Sequence, residues 1–366
     1  MPLIEWLKNR WHAEAVHYTY FWIPTANIEM PPNTKLDPAP LSAGQRYFRI
    51  WLAEMFLKDD RNWGASWYPA VMLSVQLKFG NNVEEITHIA GESTLKNFDM
   101  KALNKGVAVN HEVTTLLPFN GGTVTLEAAM LAMEGKSDAR SLLKVLGDFS
   151  KLLVVPQLSA ALAVATPLAN GIAELVGATN AHPELRLQDA WTGAESGNPN
   201  LLRAGYFVVL SAEAGKIKPE ELSVKNNQLY KGGTQLTGYH YMLFRVDTTE
   251  TRDDWDSLTS ISQPYKLALD MLEESTKADD EELKKKMKSE AEKRFAASRF
   301  AALRAPELTS IVGKNQVLDA LDRRWAEAKK QVGAGAFKAD FPKTLSAAMR
   351  NPLSATEAME LGEPTE

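Results

Sequence analysis

The chain has 366 residues, 45% of them hydrophobic and 24% charged, with a formal net charge of -5 and no cysteine. This composition suits globular domains with a sizeable core and excludes wholesale disorder. It rules out disulfides, thiolate metal sites and cysteine nucleophiles, and the acidic balance disfavours nucleic acid, whose phosphates call for a basic face.

Residues 3–14 (LIEWLKNRWHAE) have apolar positions Leu3, Ile4, Trp6, Leu7 and Trp11, whose spacings suit a short helix. Glu5, Lys8, Arg10, His12 and Glu14 interrupt the apolar residues, so no secretory h-region is read there and the cytoplasm is the expected compartment. Ala15–Ile23, dense in aromatic and β-branched residues, reads as a strand that Pro24 ends. The four prolines of Pro31–Pro40 require an extended loop. Ala43–Leu57 fits a helix or a buried strand, and 58–69 (KDDRNWGASWYP) reads as a turn. Ala70–Phe79 alternates as a strand, and Gly80-Asn81-Asn82 connects it to a hairpin partner over Val83–Ile89.

Val107–Phe119 is the next strand, broken by Asn120-Gly121-Gly122. From Leu126 to Val176 the periodicity is helical, with Ser137-Asp138 as a cap between two helices. Strands return at Glu184–Trp191, Leu201–Ser211, Leu222–Tyr230 and Tyr239–Asp247. Helices resume from Gln263. They include Asp279–Leu303, with acid-to-base pairs such as Glu281/Lys285 and Glu282/Lys286 four apart, and Asn315–Lys330. Gly333–Glu366, rich in Ala, Gly, Pro and Glu, reads as a partly mobile end. Strands do not alternate regularly with helices, so a doubly wound parallel sheet is excluded. The expectation is an α+β fold with a mostly antiparallel sheet or sandwich core. Its β-rich body spans 1–260, with a helical insertion at about 123–178, and a helical C-terminal region spans 261–366.

There is no Walker A loop, GxGxxG, GxSxG elbow, HExxH or kinase signature. His111-Glu112 opens like a zincin helix, but Thr115 stands where the second histidine belongs. None of His12, His17, His88, His111, His182 and His240 forms a close ligand pair, and no catalytic residue is assigned. Three local patterns carry some chemistry. Asp247, Glu250, Asp253, Asp254 and Asp256 crowd one loop, and a divalent cation takes several oxygens from such a loop; Arg252 in their midst opposes it, and a solvated loop capping the next helix is the simpler reading. Gly121, Gly122, Thr123 and Thr125 stand between a strand and an expected helix, where backbone N–H groups and hydroxyls attract an anion; an ordinary threonine-capped turn is the simpler reading. Leu152–Ala173 has no charged residue, yet Pro156 and Pro167 break it, which favours a buried helix pair over a membrane segment.

Six of nine tryptophans fall in the first 67 residues, Trp63 and Trp67 among them, and tryptophan is enriched at interfaces. On the charged helix 279–303 a narrow stripe through Leu283, Met287, Ala291 and Phe295 offers a surface for a partner. The leading expectation is therefore a protein-interaction or assembly component that binds a partner protein or a second copy of itself. An enzyme with a divalent cation on the acidic loop is the first alternative. A conditionally membrane-active protein using 152–173 is the second.

Overall fold

The structure, a computed structural model, describes residues 18–30, 36–58, 67–79, 82–90, 107–134 and 181–333. The chain divides into two units, Met1–Thr249 and Glu250–Glu366.

The first unit is built from β1 (Thr19–Trp22), β2 (Ile28–Glu29), β3 (Tyr47–Phe56), β4 (Trp67–Phe79), β5 (Asn82–Ala90), β6 (Val107–Glu112), β7 (Leu117–Pro118), β8 (Thr123–Glu134), β9 (Ala181–Thr192), β10 (Gly205–Leu210), β11 (Leu222–Lys225), β12 (Gln228–Lys231), β13 (Thr234–Gln235) and β14 (Tyr241–Thr249). A central antiparallel sheet runs β1-β10-β14-β3-β6, with β7 also paired to β3. A second antiparallel sheet runs β5-β4-β8-β9. A small third sheet runs β13-β12-β11-β2, its last pair parallel.

Side-chain alternation explains the layering. Phe207 and Val209 of β10, Met242, Phe244 and Val246 of β14, and Phe48, Ile50 and Leu52 of β3 join one core with Val71, Leu73, Val75 and Leu77 of β4, Leu126 of β8 and Trp191 of β9. The intervening residues Tyr206, Val208, Leu210, Tyr241 and Leu243 join a second core with Leu222, Val224 and Leu229 of the third sheet. The central sheet is thus covered on both faces. That is why β10 reads as an unbroken apolar run, with every residue buried. Each such aliphatic or aromatic side chain contributes about 1.5–3 kcal/mol when fully buried.

Three sequence expectations are corrected here. The helical reading that began at Leu126 fails over Leu126–Glu134, which belong to β8. Ala, Leu, Met and Glu there favour a helix intrinsically, but pairing with β4 on one side and β9 on the other overrides propensity, and a register shift between Met130 and Leu131 blurs the period of two. The rest of that segment, with Leu152–Ala173, lies outside the described residues. The single strand expected over Leu222–Tyr230 is a hairpin: Asn226 and Asn227 have φ of 51° and 62° and turn β11 into β12. The expected turn over 58–69 ends earlier, because Trp67, Tyr68 and Pro69 already belong to β4. Pro69 is tolerated because β5 pairs with β4 only from Val71 onward.

The second unit has a short 3-10 turn (Trp255–Ser257) and then α1 (Thr259–Lys277), α2 (Glu281–Arg304) and α3 (Val312–Gly333). Asp280 caps α2, its carboxylate accepting from the N–H groups of Glu282 at 2.7 Å and Leu283 at 3.3 Å. Tyr265 of α1, Phe295 of α2 and Trp325 of α3 form its aromatic centre, Phe295 stacking on Trp325 with centroids 4.7 Å apart. Trp255 anchors the preceding loop, edge-on to Tyr265 and with the Arg324 guanidinium 4.8 Å from its ring. The expected helix of residues 3–14 and the tail after Gly333 lie outside the described residues.

Candidate functional site

The charged helix expected over 279–303 is α2, and its first turns face the last turns of α1. Met271, Ala278, Leu283 and Met287 line a groove of about 530 Å³ there, with Glu274, Lys277, Lys286 and Glu290 around them. That volume lies in the range of sites that hold a ligand or an anchoring side-chain cluster. Leu283 is 48% exposed. Glu290 is buried at one end and faces Arg294 at 3.5 Å. The rim is tied down along each helix: Lys277 hydrogen-bonds Glu273, and Lys284 hydrogen-bonds Glu281 at 2.6 Å. The Lys284 ammonium holds the Glu281 carboxyl below its ordinary range, and Glu281 in turn raises Lys284. On α1, partial burial pushes Asp270 up, with Glu273 and Glu274 adding to the shift.

Two residues of the expected docking stripe, Leu283 and Met287, lie in this groove. The other two do not: Ala291 is fully buried and Phe295 is 7% exposed, both inside the unit's own core. Residues four apart drift by about 40° around a helix. The stripe therefore begins at the α1–α2 seam and ends against Trp325. Trp63 lies outside the described residues. Trp67 opens β4, in register with Glu134.

The acidic loop does not converge. Asp247 is taken by Arg245, whose Nε lies 3.0 Å from Oδ1 and whose Nη2 donates to Oδ2 at 3.1 Å. Asp254 faces Arg252 at 2.9 Å, and Arg252, itself buried, reaches on to the Glu307 carbonyl at 3.2 Å. Glu250, Asp253 and Asp256 are exposed. Among the described residues no three His, Asp or Glu side chains are placed to hold a metal ion together. The arginines in and beside the loop determine this outcome, since each neutralises the nearest carboxylate.

The expected anion site loses its basis as well. Gly121 and Gly122 have φ of +94° and +81° and turn the chain from β7 into β8. A strand follows, with no helix N-terminus to attract an anion. Thr123 and Thr125 pair in register with Thr192 and Ala190 of β9. Glycine at 121 is a packing requirement: a Cβ there would stand 3.2 Å from the Ala43 Cβ, on a backbone that L side chains rarely adopt.

Two polar clusters went unread in the sequence. Glu54 is completely buried. Its carboxylate accepts from the Leu229 N–H at 2.7 Å and from Gln235 Nε2 at 2.8 Å, fastening the central sheet to the third sheet. Burial pushes its pKa up, and burial beside it raises the Tyr241 hydroxyl. A register shift between Leu52 and Glu54 aims it there, next to Ala53 in the same core. The second cluster surrounds Trp51, whose ring has the guanidinium groups of Arg49 and Arg245 each at 4.9 Å. Asn227 accepts from Arg245 at 3.0 Å and from the Tyr206 hydroxyl at 2.5 Å. Its cations and carboxylates, Arg49 with Glu112 and Arg245 with Asp247, are matched among themselves. The sequence signals were a lone Glu in an apolar strand and arginine two residues before tryptophan, both too common to single out.

Among the described residues no helix is long and apolar enough to cross a membrane. Comparison of the chain with protein-family models, with curated proteins and with solved structures finds no match.

Proposed function

We propose that this chain is a protein-interaction component of a cytoplasmic assembly, and that its helical unit receives an apolar helix of a partner protein in the α1–α2 groove. The observation that carries this reading is the groove itself. Two methionines and a leucine line it, and the leucine is about half exposed among the charged residues of the first turns of α2. Leucine on such a surface has a solvation cost that a bound apolar face removes, at about 25 cal/mol per Å² covered. Methionine adapts its shape to what it meets and recurs on surfaces that bind helices. The mixed rim of Glu274, Lys277, Lys286 and Glu290 supplies the polar border that surrounds such an apolar centre.

The test is affinity purification of the intact chain from its native host, beside a Leu283→Asp form. Leu283 lies in the first turn of α2, where an aspartate suits the helix dipole, so the fold is expected to persist. The expected result is a stoichiometric protein that stays with the wild type and is released from Leu283→Asp at an unchanged melting temperature. A partner retained by Leu283→Asp refutes the groove as its docking site.

A further inference from the structure

The two walls of the α1–α2 groove differ in the charge they leave open. Glu274 and Lys277 stand on α1, Lys286 and Glu290 on α2. Two of the four are held within their own helix: Lys277 hydrogen-bonds Glu273, and Glu290 faces Arg294 at 3.5 Å. The other two are not. The spacing of α2 offers Glu282 to Lys286, yet the two form no ion pair, and among the described residues Glu274 forms none either. Both Glu274 and Lys286 are exposed. The groove thus presents an open anion on its α1 wall and an open cation on its α2 wall, beside an apolar lining of Met271, Leu283 and Met287.

The α1 wall carries a second carboxylate. Asp270 precedes Glu274 by four residues, so the two lie on one side of the helix, and like charges at this spacing repel. Asp270 registers that repulsion: partial burial pushes its pKa up, and Glu273 and Glu274 add to the shift. A cation set against this flank relieves it.

A helix laid between two others meets each of them along one flank of its apolar face, as the residues beside the seam of a coiled coil do. We infer that the partner helix carries a basic flank toward α1, against Glu274, and an acidic flank toward α2, against Lys286, and that this pair of charges sets the direction in which it lies. This rests on the groove being a docking site, and it adds the partner's chemistry. Turning such a helix end for end exchanges its flanks and sets base against Lys286 and acid against Glu274, so one direction is favoured.

The probes are three synthetic helices with leucine along the seam. Their flanking residues are lysine on one side and glutamate on the other, glutamate on both, or lysine on both. Each is fluorescently labelled and titrated at trace concentration against full-length chains. The wild type is expected to bind the mixed helix about 5-fold more tightly than either of the others, the scale of one exposed ion pair exchanged for a like-charge contact. Glu274→Lys is expected to move the preference to the doubly acidic helix, and Lys286→Glu to the doubly basic one, at unchanged melting temperatures because both positions are exposed. Leu283→Asp is expected to abolish binding of all three. Equal binding of the three helices by the wild type overturns the proposal, as does a preference that neither charge reversal moves. Direction is read by cross-linking. The natural chain has no cysteine, so Ala278→Cys, on the groove's wall at the end of α1, is offered a mixed helix with cysteine at one end or the other. Oxidation is expected to link one end only in the wild type, and the opposite end when Glu274→Lys and Lys286→Glu are combined; equal linkage through both ends overturns the role in direction. If no helix binds any chain while Leu283→Asp still releases the native partner, the flank assignment alone is refuted and the groove's function stands. If Leu283→Asp releases nothing, the docking reading itself has failed.

Discussion

The β unit and the helical unit manage apolar surface in different ways. In the β unit the central sheet has a layer on each face, so Phe207 and Phe244 pack one way while Tyr206 and Leu243 pack the other. Among the described residues of that unit Tyr18 is the large apolar side chain left exposed. The helical unit has a single aromatic centre and leaves Leu283, Leu303 and Ile311 each about half exposed. A sheet sandwiched between two others has no spare apolar face. Three helices packed around one aromatic centre leave a groove between α1 and α2. The helical unit is therefore where the proposed partner would find apolar surface to cover.

Substitutions sharpen that contrast, and the largest effect falls in the β unit. Phe244→Ala, in a side chain stacked on Phe207 with centroids 4.9 Å apart, is expected to cost about 3–5 kcal/mol in denaturant unfolding; a cost below about 1 kcal/mol would show that the double-layered core is not the source of rigidity. Glu54→Gln comes next. It removes a buried carboxylate that accepts two hydrogen bonds, and a loss of about 1–3 kcal/mol is expected. The same variant tests a pH effect. Burial raises the folded-state pKa of Glu54 above its unfolded value, so between the two values the folded protein holds a proton that the unfolded chain has shed. Stability therefore falls as pH rises through that window, and Glu54→Gln is expected to flatten the slope of unfolding free energy against pH there. An unchanged slope would assign the pH dependence elsewhere.

Smaller effects belong to the helical unit. Asp280→Ala removes the cap of α2 and is expected to cost about 0.5–2 kcal/mol, seen as a lowered helical melting transition. Leu283→Asp is expected to change stability by no more than about 0.5 kcal/mol while abolishing partner binding. If it destabilised the unit as much as a core substitution, Leu283 would be packing rather than surface, and the difference between the two units would collapse.

Much of the architecture was legible because local pattern and tertiary role agree. β4 and β9 alternate with a period of two, β10 is a continuous apolar run, and β14 opens with one over Tyr241–Phe244. α2 announces itself by Asp280, two glutamates in its first turn and Arg304 in its last. Reading failed where local and tertiary preferences part. Leu126–Glu134 has helix-forming residues and became a strand because two neighbouring strands satisfy its backbone along its length. The proposed docking surface was half legible. Leu283 and Met287 stood out as apolar residues on a charged helix, but Phe295 on the same stripe is claimed by Trp325, a partner 30 residues away that no local pattern reveals.

Composition and periodicity alone determined that the chain is a strand-rich body followed by a charged helical region, since alternation and capping are local properties that each segment carries with it. Only the tertiary structure decided which residues became a site. It placed arginines against the carboxylates of the acidic loop, turned the glycines at 121 and 122 into a strand junction, and buried Phe295. It left Leu283, about half exposed, and Met287 along a groove between α1 and α2. Whether an apolar side chain is core or contact surface depends on which neighbouring element reaches it, and that reach is set by how the helices pack.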